Sequence, residues 1–322
     1  MSFVLCISKG IESYRDKKKP PPSPEVDPLL PSLPPPSLSP PSSPLPSPSS
    51  IYPPLATNPK MAKFKKPDPK PQTKTTTTTP NWPPLRPLLP AADLTLTPLL
   101  PDQIYLIRNF LPSTLCKIYT SFLASLPLTT TPGAPKKDEA LRVNDRFQID
   151  DARFAEMLWS STALKELITT RFEEDQYEYD ESTEDDTISP ALAERARHLW
   201  GGDPLGLNPN IRIYRYSAGQ FFGQHYDDAN NITLPPPNSR SKATPARTTW
   251  TLLVYLTSCT GGETVFYPEP TRANRNPEPI AVAPEVGMAL LHRHGDHCML
   301  HEGVEVTGGE KWVLRSDLVV PR

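Results

Sequence analysis

The sequence predicts an α+β domain, a β-sandwich or jelly roll buttressed by helices, set behind a long disordered extension. Three observations carry this. Of 44 prolines in 322 residues, 26 fall in residues 1–100, and proline lacks the amide donor that helices and central strands require. Two stretches of helical periodicity follow, between residues 113 and 168. From Ile211 onward short apolar runs recur between turns, the pattern of a many-stranded β structure. About 220 residues beyond the proline-rich part are enough for one domain with a sizeable core.

The extension is assigned to residues 1–101 and the folded domain to 102–322. Pro20-Pro21-Pro22, Pro34-Pro35-Pro36, repeated Ser-Pro steps and five threonines at 75–79 offer too little apolar surface to offset ordering entropy. Several PxxP spacings would suit an SH3-type or WW-type groove, but a variable disordered tail is the simpler reading. Met61 is an alternative start.

In the domain, Gln103–Phe110 reads as a first strand, then Ser113 caps a helix with Leu115, Ile118, Tyr119, Phe122 and Leu126 on one face, ended by Pro127. Arg142–Ile149 is a strand. Asp151 opens a second helix carrying Phe154, Met157, Leu158, Leu164, Leu167 and Ile168 at helical spacing. Residues 173–186, with 9 Asp or Glu among 14, read as a solvated insertion, with a docking surface for a basic partner as the alternative. A short helix, Ala191–Trp200, precedes the β half. Strands are expected at Ile211–Ser217, Gln220–His225, Thr248–Thr257, Thr264–Tyr267, Ile280–Ala283, Met288–Arg293, Cys298–Glu302 and Lys311–Val320.

Charge and cysteine usage narrow the function classes. Residues 1–100 carry 12 Lys and Arg against 6 Asp and Glu, so the net charge of −2 hides an acidic body of 22 against 30. That balance argues against nucleic-acid binding as the main task. Cys6, Cys116, Cys259 and Cys298 form no CxxC pair and read as reduced thiols of an intracellular protein. No apolar run approaches the ~20 residues of a membrane span, and Phe3–Ile7 is too short for a secretory core. A cytoplasmic or nuclear protein is expected, with Lys17–Lys19 and Lys63–Lys66 as candidate nuclear addresses or merely solvated charge.

The chemistry concentrates in the β half, which holds five of the six histidines. Residues two apart on a strand share a face, so His225 and Asp227 can present an imidazole and a carboxylate to one metal ion. A third ligand from a late strand, His301, would complete two histidines and one carboxylate, a set that leaves one side of an iron ion open. Lys311, Val313 and Arg315 alternate on one face of the last strand, and a buried cation there calls for an anion. His292 and His294 also make a His-x-His pair, read as core hydrogen-bonding groups or supports of the ligands rather than a second metal pair. Cys298 reads as a small buried hydrophobe. Arg142–Arg146 is either a salt-bridged strand edge or a substrate-facing cluster. The Pro-rich loop Leu234–Ala246, with Arg240, Lys242 and Arg247 on or beside it, follows the metal pair, where substrate choice often resides.

Asn210–Gln220 leading into His225-Tyr226-Asp227, then Leu253–Leu256, Gly261–Phe266, and His301 with Lys311, together resemble the iron(II)/2-oxoglutarate-dependent dioxygenases, specifically the prolyl 4-hydroxylase-like branch. The resemblance implies a double-stranded β-helix (jelly roll) core, with His225, Asp227 and His301 as iron ligands. It further implies that Lys311 anchors the far carboxylate of 2-oxoglutarate, with Arg315 as rival anchor, and that Thr264, Tyr255 and Tyr216 line the same pocket. Iron(II), 2-oxoglutarate and dioxygen are the implied cofactor and cosubstrates, with ascorbate as a candidate reductant. The implied reaction is hydroxylation of a peptidyl proline or other protein side chain, with release of succinate and CO2. Alternatives are the same chemistry on a small metabolite or nucleobase, and a non-enzymatic jelly-roll binding module.

Overall fold

Every strand pairing is antiparallel, and the strands fall into two principal sheets. The computed structural model describes residues 79–131, 140–170, 190–235 and 242–322. The major sheet runs in the order Thr97–Leu100, Ile104–Ile107, Ala289–Arg293, Thr244–Tyr255, Lys311–Pro321, Asn210–Tyr216, Asp145–Asp150, Thr129–Thr130. Asn231–Leu234 and Gly206–Leu207 add to its sides. The minor sheet runs Ile280–Val282, Thr264–Tyr267, Leu300–Gly303, Phe221–His225, Arg142–Val143.

Side-chain alternation divides the core in two. On the last strand Trp312, Leu314 and Leu318 join the helices Ser113–Leu123, Ala152–Ser161 and Leu164–Thr169 in one apolar cluster. Val313, with Tyr214, Tyr216, Tyr255, Phe266, Val282 and Leu290, fills a second cluster between the two sheets. The strand is therefore buried on both faces, which explains its continuous apolar run. The expected α+β jelly roll with helices on one side is the observed architecture.

Local differences have identifiable causes. Ser113 is the first residue of its helix rather than the cap; Pro112 takes the cap position without a side-chain bond, and Ile118 faces solvent. Asp151 does cap the second helix, accepting the Phe154 amide at 2.9 Å. That helix stops at Ser161, because Thr162 is extended, and a separate short helix carries Leu164, Leu167 and Ile168. The proline-rich loop after the His-x-Asp pair is the end of a hairpin, with Asn231–Leu234 paired to residues 244–247; its Pro236, Pro237 and Arg240 lie outside the described residues, as do the acidic run 173–186 and residues 1–78.

The boundary at residue 101 needs correction, because residues 79–101 already belong to the fold. Leu85, Leu94 and Leu96 are buried, and Thr97–Leu100 pairs with Ile104–Ile107. Trp82 stacks on Phe154 with ring centroids 4.0 Å apart, and its Nε1 donates to Asp151 at 2.8 Å. Prolines here coexist with structure because the segment lies over the helices and needs few ladder bonds of its own. Trp82→Ala is expected to lower stability by about 2–4 kcal/mol, measured by urea denaturation; no change would show the segment to be dispensable.

Candidate metal centre and its anion pocket

The two histidines of the candidate ligand set meet because strand register makes them partners. His225, at the end of Phe221–His225, lies directly across from His301 on Leu300–Gly303, and their ring centroids are 4.2 Å apart. In each ring Nδ1 faces a backbone carbonyl, that of Gly223 at 2.8 Å for His225 and of Met299 at 2.9 Å for His301. A carbonyl only accepts, so Nδ1 carries the proton and Nε2 is left as a bare lone pair. Both Nε2 atoms lie 3.8 Å from the Asp227 carboxylate. One donor atom from each of the three residues falls within 4.8 Å of the others. Neither Nε2 makes a hydrogen bond among the described residues, and both lone pairs are turned toward the Asp227 carboxylate. A divalent cation would satisfy all three, and N and O donors in this number suit iron(II).

Asp227 is held from behind. Arg315 grips both oxygens, Nη1 to Oδ1 at 3.1 Å and Nη2 to Oδ2 at 2.9 Å. Thr251 Oγ1 donates to Oδ2 at 2.9 Å. Because that hydroxyl's proton is committed to the carboxylate, His294 Nδ1 donates to Thr251 at 3.0 Å, and His294 Nε2 accepts from Thr248 Oγ1 at 2.9 Å. A register shift between Thr248 and Trp250 lets both threonines reach one imidazole. His294 is thus the supporting group the sequence suggested. Cys298, half-buried, accepts the Asp227 amide at 3.2 Å, so it is more than an apolar filler.

The titrations follow from burial and neighbours. Burial pushes His225 down to about 4 and lowers His292, His294 and His301, keeping the rings neutral. Burial would raise the Asp227 carboxyl, but Arg315, followed by the neighbouring histidines, holds it well below the usual range. Burial lifts the Cys298 thiol to about 11.

Lys311 sits in the interior beyond this cluster, 5 % exposed. Its Nζ donates to the Gly262 carbonyl at 2.7 Å and approaches Thr264 Oγ1 at 3.4 Å. It lies 5.6 and 5.4 Å from the rings of Tyr216 and Tyr255, and Tyr255 Oη is 2.7 Å from Thr264 Oγ1. All four residues expected around the cosubstrate therefore converge, whereas Arg315 is committed to Asp227 and Asp317. No carboxylate pairs with Lys311 among the described residues, and burial pushes its amine down to about 8. The Gly261-Gly262 turn makes the contact: both have φ near +70°, and a Cβ on Gly261 would stand 2.4 Å from the Glu305 carbonyl. A small cavity of about 50 Å³ touches His225, Asp227, His301, Thr264, Lys311 and Tyr216. It joins the His225, Asp227 and His301 cluster to the cation.

Outside it, an open cleft of about 1230 Å³ reaches His225 and Asp227 past Arg142, Arg146, Arg212, Tyr214, Phe222 and Pro235. The Arg142–Arg146 cluster divides: Asp145 pairs with Arg215 at 2.8 Å as a strand-edge bridge, while Arg142 packs 4.8 Å from the Phe222 ring centroid and lines the cleft with Arg146. Tyr214, Thr248 and Thr251 escaped sequence reasoning. Tyr214 alone carried a signal, being two residues from Tyr216 on the same strand face.

Residues 211–316 match the family model described as the 2OG-Fe(II) oxygenase superfamily. This segment is a domain of that superfamily. Membership of the 2OG-Fe(II) oxygenases implies an oxidoreductase using iron(II), 2-oxoglutarate and dioxygen. No match was found among curated protein sequences. Among solved structures, the chain is similar to a viral collagen prolyl hydroxylase from Paramecium Bursaria Chlorella virus-1 in complex with 2OG, at 15% identity over 68% of this chain and 96% of that one, TM-score 0.38. It is also similar to a prolyl-4-hydroxylase from Pseudomonas putida (14%, 68% and 93%, TM-score 0.39). A third is HygX from Streptomyces hygroscopicus with nickel and 2-oxoglutarate bound (14%, 68% and 83%, TM-score 0.36). Among the described residues no helix is long and apolar enough to cross a membrane.

The lowered Lys311 amine gives the oxygenase domain a signed pH dependence. Between pH 8 and 10.5 the unfolded chain binds this proton and the folded one does not, so stability rises with pH through that window. Wild type should gain on the order of 2–3 kcal/mol relative to Lys311→Met across it, read from denaturation midpoints; parallel profiles would show that the amine is not desolvated.

Proposed function

We propose that the protein is an iron(II)- and 2-oxoglutarate-dependent dioxygenase that hydroxylates a peptidyl proline or another protein side chain, releasing succinate and CO2. The convergence of the His225 and His301 lone pairs on Asp227, next to a buried and carboxylate-free Lys311, carries this reading. In it His225, Asp227 and His301 hold the iron. Lys311, with Thr264, Tyr255 and Tyr216, holds the far carboxylate of 2-oxoglutarate. When bound, the metal supplies oxidative decarboxylation of the oxo acid coupled to oxygen insertion into a C–H bond, with ascorbate as the expected reductant for off-cycle oxidation.

The chain's own residues bind, orient and exclude water. Arg315 and Thr251 fix the carboxylate plane of Asp227 before any ligand arrives, so no reorganisation is needed on binding. Tyr216, Tyr255, Phe222 and Val313 give the pocket apolar walls, which strengthen the pairing of Lys311 with an anion. Lys311 is the anchor because its charge is free, whereas that of Arg315 is spent on two aspartates. A macromolecular substrate is supported by the cleft, whose 1230 Å³ exceeds the roughly 300–1,000 Å³ usual for small-molecule sites. Arg142, Arg146 and exposed Tyr226 give it polar and aromatic contacts suited to an extended peptide.

Purified protein with iron(II) is expected to release succinate from 2-oxoglutarate, and His225→Ala or Asp227→Ala to abolish the release; unchanged turnover in either would remove the iron assignment. Lys311→Ala should raise the KM for 2-oxoglutarate by about 30- to 1000-fold, equivalent to about 2–4 kcal/mol, with metal affinity unaltered. Arg315→Met should instead weaken metal binding by about 10- to 100-fold; the opposite split would exchange the two roles. Incubation with proline-containing peptides should give a gain of about 16 Da by mass spectrometry. No gain beside robust oxidation of a small metabolite would move the substrate to that class.

A further inference from the structure

Among the described residues four arginines line the open cleft outside the candidate metal centre: Arg142, Arg146, Arg212 and Arg315. Two of them are paired, Arg315 with Asp227 and Asp317, and Arg212 with Asp317. Arg142 and Arg146 have no carboxylate in salt-bridge contact among the described residues. Asp150 and Asp228 border the same cleft, but both are exposed, and Asp150 accepts from Asn210 Nδ2 at 2.7 Å.

A change of sheet places the two unpaired guanidiniums. Arg142 lies on the minor-sheet strand Arg142–Val143, opposite Phe222, and Arg146 on the major-sheet strand Asp145–Asp150, opposite Tyr214. The chain thus sets one cation on each sheet at the mouth of the gap between them. Arg142 stands 4.8 Å from the Phe222 ring centroid and 5.9 Å from that of Tyr214. Phe222 in turn stacks on the His225 imidazole at 3.6 Å, so one ring separates this guanidinium from a proposed iron ligand. Arg146 is half-buried and donates to the Gln148 side-chain oxygen. Burial lowers its affinity for the proton, Tyr214 opposes this, and the charges of Arg142 and Arg212 lower it further. Two like charges brought together at a half-buried mouth call for an anion. A planar guanidinium with its N–H edge free matches a carboxylate in geometry, and the nearby Asp150 and Asp228 oppose a doubly charged phosphate more than a singly charged carboxylate.

The rest of the cleft wall shows what would carry that carboxylate. Asn231–Leu234 is hydrogen-bonded to residues 244–247 along one edge only. The Asn230 carbonyl accepts the Thr248 amide at 3.0 Å, so the backbone groups of Asn231 and Thr233, which alternate with it, turn to the other edge. Pro245, opposite Thr233, agrees with this: it has no amide, and its carbonyl accepts the Arg322 amide at 3.3 Å. Asn231, Ile232 and Thr233 all line the cleft, although successive side chains of a strand point to opposite faces. What they present to it is therefore an unpaired strand edge, which an extended peptide can join and a small acid cannot.

We propose that Arg142 and Arg146 together bind the carboxylate of an Asp or Glu side chain in an extended peptide substrate, and so select acidic segments. The inference rests on the protein-substrate reading above. Because one ring separates Arg142 from His225 and an extended chain advances about 3.3 Å per residue, the acidic residue stands within about two or three positions of the oxidised one.

The test is a charge preference. Labelled repeating Gly-Glu-Pro, Gly-Gln-Pro and Gly-Lys-Pro peptides are bound to the full chain loaded with Mn(II) and 2-oxoglutarate, and fluorescence anisotropy reads the affinity. Wild type is expected to bind the Glu peptide about tenfold or more tighter than the Gln peptide, and Arg142→Gln or Arg146→Gln to reduce the ratio to about twofold or less. Arg142→Glu combined with Arg146→Glu should reverse the order in favour of the Lys peptide, a gain that a misfolded variant cannot give. Equal binding of the Glu and Gln peptides by wild type overturns the inference and spares the protein-substrate reading. A Glu preference that survives both Gln variants overturns it too, since the basic stretch 1–100 would then be holding the peptide. Binding of none of the three peptides, or displacement of the Glu peptide by N-acetylglutamate as readily as by the unlabelled peptide, overturns the protein-substrate reading itself.

Discussion

Asp227 is a carboxylate placed almost out of reach of water, and nearly every feature of the site follows from what must surround it. An ionised carboxylate in such a place is untenable unless paired and hydrogen-bonded. Arg315 supplies the pairing through two contacts and Thr251 the hydrogen bond, with His294 and Thr248 fixing the threonine in turn. These groups come from Thr244–Tyr255 and Lys311–Pro321, neighbouring strands of the major sheet, and from the segment that follows Ala289–Arg293. The two imidazoles opposite come from the minor sheet. The site thus spans the gap between sheets, and its integrity depends on their packing across the Tyr214, Phe266 and Val313 cluster.

The same alternation that builds the sandwich separates two cations of opposite character. Lys311 and Arg315 project from one face of one strand, four residues apart. The arginine's charge is consumed by Asp227 and Asp317, while the lysine ammonium contacts a carbonyl, a hydroxyl and two aromatic rings, with no carboxylate in salt-bridge contact among the described residues. A buried cation without a carboxylate partner is destabilising, and under the proposed function an anionic cosubstrate would relieve that cost. The glycine pair at 261–262 belongs to this device, since it turns the chain so that the Gly262 carbonyl meets the ammonium.

Much of this was legible in the sequence. The strands of the β half were readable because alternation and turn residues mark them, and Thr264–Tyr267 has the expected bounds. That His225, Asp227, His301 and Lys311 would lie around one cavity was readable because spacing and order are specific even when each motif is weak. What stayed hidden depends on register and bulges. Thr251 and Thr248 look like ordinary strand threonines until a register shift brings both to His294. The roles of Lys311 and Arg315 could not be ranked from one strand, because the deciding partner, Asp227, lies 88 residues from Arg315. That His294 rather than His292 holds these threonines was equally hidden, since nothing in a His-x-His pair says which ring finds partners. The early fold boundary was missed for a compositional reason: residues 79–100 are proline-rich yet anchored by Trp82, and the stack on Phe154 is visible only in three dimensions.

The central claim is that His225, Asp227 and His301 hold an ion against which 2-oxoglutarate is positioned by Lys311. Visible absorption on anaerobic addition of 2-oxoglutarate to iron(II)-loaded protein tests it most directly, because a charge-transfer band arises only when the oxo acid binds the metal itself. The band should appear in wild type, vanish in His301→Ala, and require far higher 2-oxoglutarate in Lys311→Ala. A wild-type protein that gives no band, or a band indifferent to His301, would contradict it.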